Sequence, residues 1–338
     1  MQWSDLMGME EARKRLGKAS NSKKLGHAHI LAGPAGTGRR LFATMVARHL
    51  LCEIGGEGDL SSCGLCPSCK QVEAGTHPDF QTWIKPEEDK EFKIEFMRRM
   101  IESAQFKSTS GGAKAFILEP ADSFNEESSN CFLKTLEEPP PGMWIALLCE
   151  NPENLLPTIR SRCQMIRFHP LPVATVSQIL ETKGLAEASA RLEIARLSEG
   201  LPGLAVILSE PSRRALWHDF LKILLSKPFK GTVWADLLKG AIEDVTGGPA
   251  QRSIVRSILR LHMGLWGDLL RVLHRLDPRV QPESATRPMR ELTQSLDARR
   301  ISGMAEATMI ADDRLKWGAL VPLAIEALGD TLEDFLNQ

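Results

Sequence analysis

The 338-residue chain has no apolar run approaching the ~20 residues that a membrane-spanning helix needs, which argues against a helical membrane protein. It also lacks an excess of charge, since 42 basic residues stand against 43 acidic ones and produce no global field that would attract nucleic acid. Aromatic residues are few, at 6%, and offer no obvious platform for stacking bases. The N-terminal segment resembles neither a signal peptide nor a transit peptide, so we expect a cytoplasmic protein.

The seven cysteines are odd in number and four of them are clustered, which suits metal binding in a reducing compartment better than a disulfide framework. The cluster has the spacing C-x10-C-x2-C-x2-C and consists of Cys52, Cys63, Cys66 and Cys69. Short C-x2-C spacing lets two thiolates share one tetrahedral ion. We predict a structural zinc site, because four ligands leave no coordination place for water. An iron–sulfur cluster stays open as the chief alternative.

The length of the chain predicts two or three domains. Short apolar runs alternate with helical patterns as far as about residue 168, which predicts a parallel sheet covered by helices on both faces. We therefore expect an α/β nucleotide-fold domain over 1–168, with a zinc module at 52–69, a helical lid over 169–208 and an all-α domain over 209–338. Long helices are predicted in the last domain, for example over 253–276 and 315–336.

A glycine-rich loop follows the first predicted strand and precedes a helix. Its sequence has the glycine pattern of a Walker A loop, in which backbone N–H groups cradle phosphates at a helix N-terminus. A working loop next needs Lys for the phosphates and Ser or Thr for Mg²⁺, and two arginines occupy those places. We expect this degenerate phosphate loop to bind nucleotide weakly or not at all; its candidate residues are Gly33, Gly36, Gly38, Arg39 and Arg40.

The acidic half of a nucleotide site is also incomplete. The predicted strand over 115–118 should be followed by Asp-Glu, with one carboxylate for Mg²⁺ and one to polarise water. Glu119 stands at the metal-proximal place, but Pro120 takes the place of the catalytic glutamate. The two departures together predict that this chain does not hydrolyse ATP.

Two further segments carry a resemblance to a known family. They are NCFLKTLEEPP at 130–140 and LLPTIRSRC at 155–163. The pair resembles the clamp-loader subunits of bacterial DNA polymerase III, proteins of the AAA+ class whose hallmarks are an LLKTLEEPP segment and an SRC motif. The tripeptides HAH at 27–29 and HPD at 77–79 match the same family. The resemblance is strong over 1–208 and only architectural beyond.

Within this family the motor subunits keep intact Walker motifs, whereas the delta-prime type often lacks them and keeps the SRC arginine. The resemblance therefore implies a delta-prime-type component of the DNA polymerase III holoenzyme. With gamma/tau motor subunits and the delta subunit, it would form a hetero-pentamer that loads the sliding clamp onto primed DNA. Arg162, between Ser161 and Cys163, would act in trans as an arginine finger on a neighbour's ATP. The region 209–338 would join the collar of the ring.

Two other interpretations stay open. A gamma/tau-type motor subunit with a divergent ATP site would hydrolyse ATP by itself, and Arg39, Arg40 and Pro120 argue against it. A zinc-dependent single-strand-binding module on a vestigial ATPase fold is disfavoured by the balanced charge and the scarcity of aromatic residues. No Ser-His-Asp or Cys-His catalytic arrangement is indicated.

Overall fold

A computed structural model describes residues 3, 6–55, 60–86, 89, 91–110, 112–279 and 285–337. The chain divides into two compact units, Met1–Pro170 and Leu171–Gln338. The five strands of the described residues all lie in the first unit, and the regular structure described in the second unit is helical. None of the described helices is both long and apolar enough to cross a membrane.

A five-stranded parallel sheet forms the centre of the first unit. Its strands follow the order β2-β3-β4-β1-β5 across the sheet, and every neighbouring pair is parallel. The strands are β1 (Ala28–Ala32), β2 (Phe80–Ile84), β3 (Lys114–Glu119), β4 (Met143–Cys149) and β5 (Gln164–Arg167). The interior strands β1 and β4 are buried along their whole length, as expected for a parallel sheet covered on both faces.

Helices cover the two faces of this sheet, and each face has its own apolar core. Successive strand residues point to opposite faces, so Ile30 of β1 joins one core and Leu31 joins the other. The helices of the first unit are α1 (Glu10–Asn21), α2 (Arg39–Leu51), α3 (Pro67–Ala74), α4 (Ile94–Gln105), α5 (Glu126–Glu137) and α6 (Pro157–Arg160). The predicted α/β domain with a parallel sheet, followed by a helical region, is confirmed.

The second unit is built from nine described helices. They are α7 (Val173–Thr182), α8 (Ala188–Leu197), α9 (Pro202–Leu208), α10 (Pro211–Leu225), α11 (Gly231–Gly240), α12 (Gly248–Leu273), α13 (Thr286–Leu292), α14 (Ala298–Lys316) and α15 (Val321–Asn337). One apolar core runs through this unit from Val176 to Leu332, so the regions predicted as lid and collar contribute to the same core. Their division into two domains stays a prediction.

The single helix predicted over 315–336 is wrong, because α14 ends at Lys316 and α15 begins at Val321. Gly318 has a φ of 89°, which is left-handed backbone that favours glycine. The N–H groups of Gly318 and Ala319 close the end of α14 on carbonyl oxygens of the preceding turn. A left-handed glycine of this kind commonly ends a helix. The apolar periodicity continues on both sides of Gly318, so the sequence pattern alone does not show that the helix ends there.

Candidate functional site

The glycine loop joins β1 to α2 and is fixed between two neighbouring strands. Gly33 donates its N–H to the carbonyl oxygen of Cys149 at 3.1 Å, and Phe168 N–H donates to the carbonyl oxygen of Ala32 at 2.7 Å. Gly33 has a φ of 151°, and a Cβ at this residue would lie 2.2 Å from the carbonyl oxygen of Phe168. Close packing against β5 therefore requires glycine here, whether or not the loop binds a phosphate.

The two arginines at the start of α2 lie in different environments. Arg40 extends to Glu119, and its Nε and Nη2 each lie 2.7 Å from Glu119 Oε2. Arg39 is buried, and its Nη1 has no hydrogen-bond partner among the residues that the structure describes. Between β1 and these arginines, Gly36 and Gly38 both have positive φ values, of 84° and 92°. The predicted loop residues thus come together, and a guanidinium contacts the acid at the end of β3.

The turn after β3 contains a carboxylate that accepts hydrogen bonds from backbone N–H groups. Asp122 lies in the short 3-10 turn Ala121–Ser123 that follows Pro120. Its Oδ2 accepts hydrogen bonds from the backbone N–H groups of Glu150 and Asn151, at 3.3 and 3.4 Å. Asp122 therefore ties this turn to the end of β4.

Arg162 lies at the surface, directly after α6, and its side chain is 36% exposed. Its Nη1 donates to the Thr158 carbonyl oxygen at 3.0 Å and to Ser161 Oγ at 3.3 Å, and its Nη2 donates to Glu137 Oε1 at 2.5 Å. Burial raises the pKa of the adjacent Cys163 thiol to about 12, so this cysteine packs and does not react. The SRC motif therefore presents one charged side chain to solvent.

The four cysteines of the predicted cluster come together in space. Their Sγ atoms all lie within 4.8 Å of one another, a grouping that could hold a metal ion. The Sγ atoms of Cys52 and Cys63 are 3.6 Å apart, and those of Cys63 and Cys69 are 3.9 Å apart. A tetrahedral ion with Zn–S bonds of ~2.3 Å would place its sulfurs ~3.8 Å apart. A disulfide would bring two of them to ~2.05 Å.

Backbone N–H groups point at the sulfurs of this cluster. Those of Leu65 and Cys66 lie 3.5 and 3.3 Å from Cys63 Sγ, and that of Cys69 lies 3.4 Å from Cys66 Sγ. The bonds from Leu65 and Cys66 lower the pKa of the Cys63 thiol to about 6. Burial instead raises the pKa of the Cys69 thiol, and a bound cation is what would keep this sulfur ionised. The donor set therefore fits a thiolate-bound metal.

A buried serine and histidine connect the cysteine cluster to the sheet. Ser68, in α3, donates to the Leu51 carbonyl oxygen at 2.6 Å and lies 2.7 Å from His77 Nε2. The Asp79 N–H donates to His77 Nδ1 at 3.0 Å, which places the imidazole proton on Nε2. The Asp79 carboxylate accepts instead from the loop 108–110. Among the described residues no carboxylate orients the imidazole, so this is a structural connection and not a catalytic triad.

Two residues of the quoted motifs make contacts that were not predicted from the sequence. Glu137 belongs to the quoted NCFLKTLEEPP segment, but its pairing with Arg162 joins residues 25 positions apart. His77 belongs to the HPD tripeptide, and its partner Ser68 lies inside the cysteine spacing. The motifs mark both places. The sequence does not show which residues these side chains contact, because the partners are brought together only when separate elements pack.

Comparison with known proteins matches the first unit to one family. The family model described as DNA polymerase III, delta subunit matches residues 8–172. The DNA polymerase III subunit delta' of Pseudomonas aeruginosa is 36% identical over 178 residues, which cover 52% of this chain and 53% of that protein. The Escherichia coli subunit delta' is 35% identical over 183 residues, or 54% of each chain. Over residues 8–172, this chain is therefore similar to DNA polymerase III delta and delta-prime subunits.

Proteins named for other DNA polymerase III subunits are less similar to this chain. The E. coli DNA polymerase III subunit tau is 28% identical over 203 residues, 59% of this chain and 31% of tau. A DNA polymerase III gamma subunit-related protein from Thermotoga maritima is 17% identical and covers 91% of this chain and 99% of its own, with a TM-score of 0.43. The chain spans about half the length of the delta-prime relatives it matches.

Proposed function

We propose that this chain is a delta-prime-type subunit of the DNA polymerase III clamp loader that hydrolyses no ATP of its own. It presents Arg162 as an arginine finger to the ATP site of a neighbouring gamma/tau motor subunit. Together with these motors and the delta subunit, in a hetero-pentamer, it loads the sliding clamp onto primed DNA in the bacterial cytoplasm. The region 209–338 contributes to the collar of that ring.

The observation that carries this proposal is the Arg40–Glu119 ion pair. Mg²⁺ in a P-loop site is held by a hydroxyl and a carboxylate oxygen. Arg40 stands at the hydroxyl place, and a guanidinium has only N–H donors to offer. Glu119, at the carboxylate place, is engaged by that guanidinium. The loop therefore has no pair of oxygen ligands for the metal, and Pro120 removes the water-polarising glutamate as well.

Arg162 supports the second half of the proposal. An arginine finger stabilises charge on the transferred phosphoryl group and is worth ~10³–10⁵ in rate in GTPases. Such a residue has to be exposed on the subunit that donates it. Arg162 meets this requirement at the surface, held by groups of its own chain.

We further propose that the four-cysteine cluster holds a structural zinc ion. Four thiolates complete a tetrahedron and leave no open position for a water molecule, so the ion would stabilise the segment and not catalyse. The sulfur separations match a single ion. A cluster of several irons needs its thiolates farther apart. Metal analysis of the purified chain tests this directly, with one zinc per chain expected and iron contradicting the proposal.

The decisive experiment uses the purified full-length chain, alone and mixed with motor subunits of the same system. For the chain alone, we expect no ATP hydrolysis and at most weak Mg-ATP binding. Binding is worth measuring because, among the described residues, Arg39 Nη1 has no hydrogen-bond partner and could donate to a phosphate. In the mixture, we expect the chain to raise DNA-stimulated hydrolysis. The gain should be lost in Arg162→Ala and kept in Arg160→Ala, a control whose guanidinium pairs with Glu153.

Two outcomes contradict the proposal. A gain that survives Arg162→Ala would show that this arginine is not the finger. ATP hydrolysis by the isolated chain that is abolished by replacing Arg39 and Arg40 would favour the alternative, a motor subunit with a divergent site.

A further inference from the structure

Arg162 is held by two separate elements of the first unit. Glu137 is the last residue of α5, whereas Thr158 and Ser161 belong to α6 and the turn that ends it. Leu136, beside Glu137, and Ile159, within α6, are both buried in the same apolar core. The backbone that carries these hydrogen-bond acceptors is therefore fixed by packing, although the charged groups themselves lie at the surface.

The hydrogen bonds of Arg162 leave part of its guanidinium available. An arginine side chain has five N–H donors. Nη1 donates to Thr158 and to Ser161, and Nη2 donates once to Glu137. Among the described residues, the Nε donor and one Nη2 donor thus have no partner. The guanidinium is thus held by its own chain through Nη1 and one N–H of Nη2. Its remaining N–H groups are available to an anion of another molecule.

We infer that Glu137 is a positioning residue, which holds the Arg162 guanidinium in the orientation that meets the γ-phosphate in a neighbouring subunit. The inference rests on the proposed function. A free arginine side chain samples many rotamers and loses that freedom when it binds, so a restraint applied beforehand reduces the loss. An exposed ion pair is weak, which lets Glu137 restrain the guanidinium without withholding it from phosphate oxygens.

The restraint should affect turnover more than ATP affinity. The neighbour's own loop binds ATP in the ground state, while the finger acts on charge that develops in the transition state. Loss of positioning should therefore lower kcat of the assembled complex and leave KM for ATP nearly unchanged.

The test measures steady-state ATP hydrolysis by the reconstituted complex with Glu137→Gln and Glu137→Ala. Glu137→Gln keeps an oxygen acceptor without the charge, and Glu137→Ala removes the contact. We expect Glu137→Ala to lower kcat by roughly tenfold, within the ~10²-fold that a 1 Å misplacement can cost, with Glu137→Gln in between. Glu153→Gln is the matched control, since Glu153 pairs with the neighbouring Arg160, and it should leave kcat unchanged.

Thermal unfolding and assembly with the motor subunits should be unchanged in both Glu137 variants, which separates positioning from a loss of folding. If Arg162→Ala abolishes the gain but Glu137→Ala keeps full turnover, the positioning role is wrong and the finger stands. If Arg162→Ala itself keeps the gain, both fail. A higher kcat in Glu137→Gln would mean that Glu137 competes with the phosphate, which overturns the inference.

Discussion

Replacing Gly33 by alanine tests whether the glycine of the phosphate loop serves packing in this chain. Gly33 lies where β1 ends, between the carbonyl oxygen of Cys149 and the residue Phe168 that follows β5. Its φ of 151° is a region that side chains rarely adopt, and a new Cβ would meet the Phe168 carbonyl oxygen at 2.2 Å and Phe168 Cβ at 2.9 Å. Neither obstacle involves a nucleotide.

The two obstacles set the size of the effect. Backbone held in a glycine-only region costs ~1–3 kcal/mol when another residue occupies it. A clash with backbone in a packed core costs a further ~1–3 kcal/mol, because the strand must move and strain its bonds. We therefore expect Gly33→Ala to lower the unfolding free energy of the first unit by about 4 kcal/mol.

Gly75→Ala is the matched control in the same unit. Gly75 has a φ of 71°, and a Cβ there would meet nothing within 4 Å, so only left-handed strain of ~1–2 kcal/mol applies. Native-state hydrogen exchange of the β1 and β4 amides reports the opening free energy of this unit without assuming that the two units unfold together. If Gly33→Ala costs no more than Gly75→Ala, the packing role assigned to Gly33 is refuted.

Metal removal and acid are two further perturbations. Cys69→Ser should lose the bound metal and α3 should exchange faster, while Cys131→Ser, outside the cluster, should keep one metal per chain; equal metal content in both would contradict the site. In the second unit, burial lowers the pKa of His262 to about 3. The pKa of a histidine in the unfolded chain is ~6.5. The free energy of unfolding is therefore highest above pH ~6.5 and falls by up to ~1.4 kcal/mol per pH unit as the pH drops from ~6.5 towards 3. Urea midpoints at pH 7 and pH 5 should therefore differ less in His262→Leu than in the parent chain; an equal difference would contradict this.

The strands were predictable because each coincides with a short run rich in apolar or β-branched residues, although β2 and β5 are only partly buried. Phe80–Ile84 forms β2 as predicted, and Met143–Cys149 forms β4 with one more residue than the predicted run at 144–149. The helix α3 begins at the end of the segment 52–69 and was not predicted, since eight residues are too few to display a helical period. The local sequence is therefore enough to predict the strands, but it is not enough to predict a helix as short as α3.

The candidate sites divide in the same way. The cysteine cluster was predictable because short spacing brings its ligands together almost without reference to the fold. The Arg40–Glu119 pair was not foreseen, although both residues had been singled out, because their contact joins positions 79 apart. Only the parallel order of β3, β4 and β1 places the end of β3 near the start of α2. Contacts of this type depend on topology, which residue types alone do not specify.

The Arg40–Glu119 pair has a consequence for how the subunit responds to its surroundings. In a working P-loop, the cation at this edge of the sheet is the Mg²⁺ ion, which binds and leaves with the nucleotide. Here the chain supplies a permanent cation of its own. A ligand shifts a conformational equilibrium only through unequal affinity for the two states, so a site that binds Mg-nucleotide weakly or not at all is at most weakly coupled to the ratio of ATP to ADP. On the proposed function, the first unit would keep one conformation while neighbouring motor subunits bind and hydrolyse ATP.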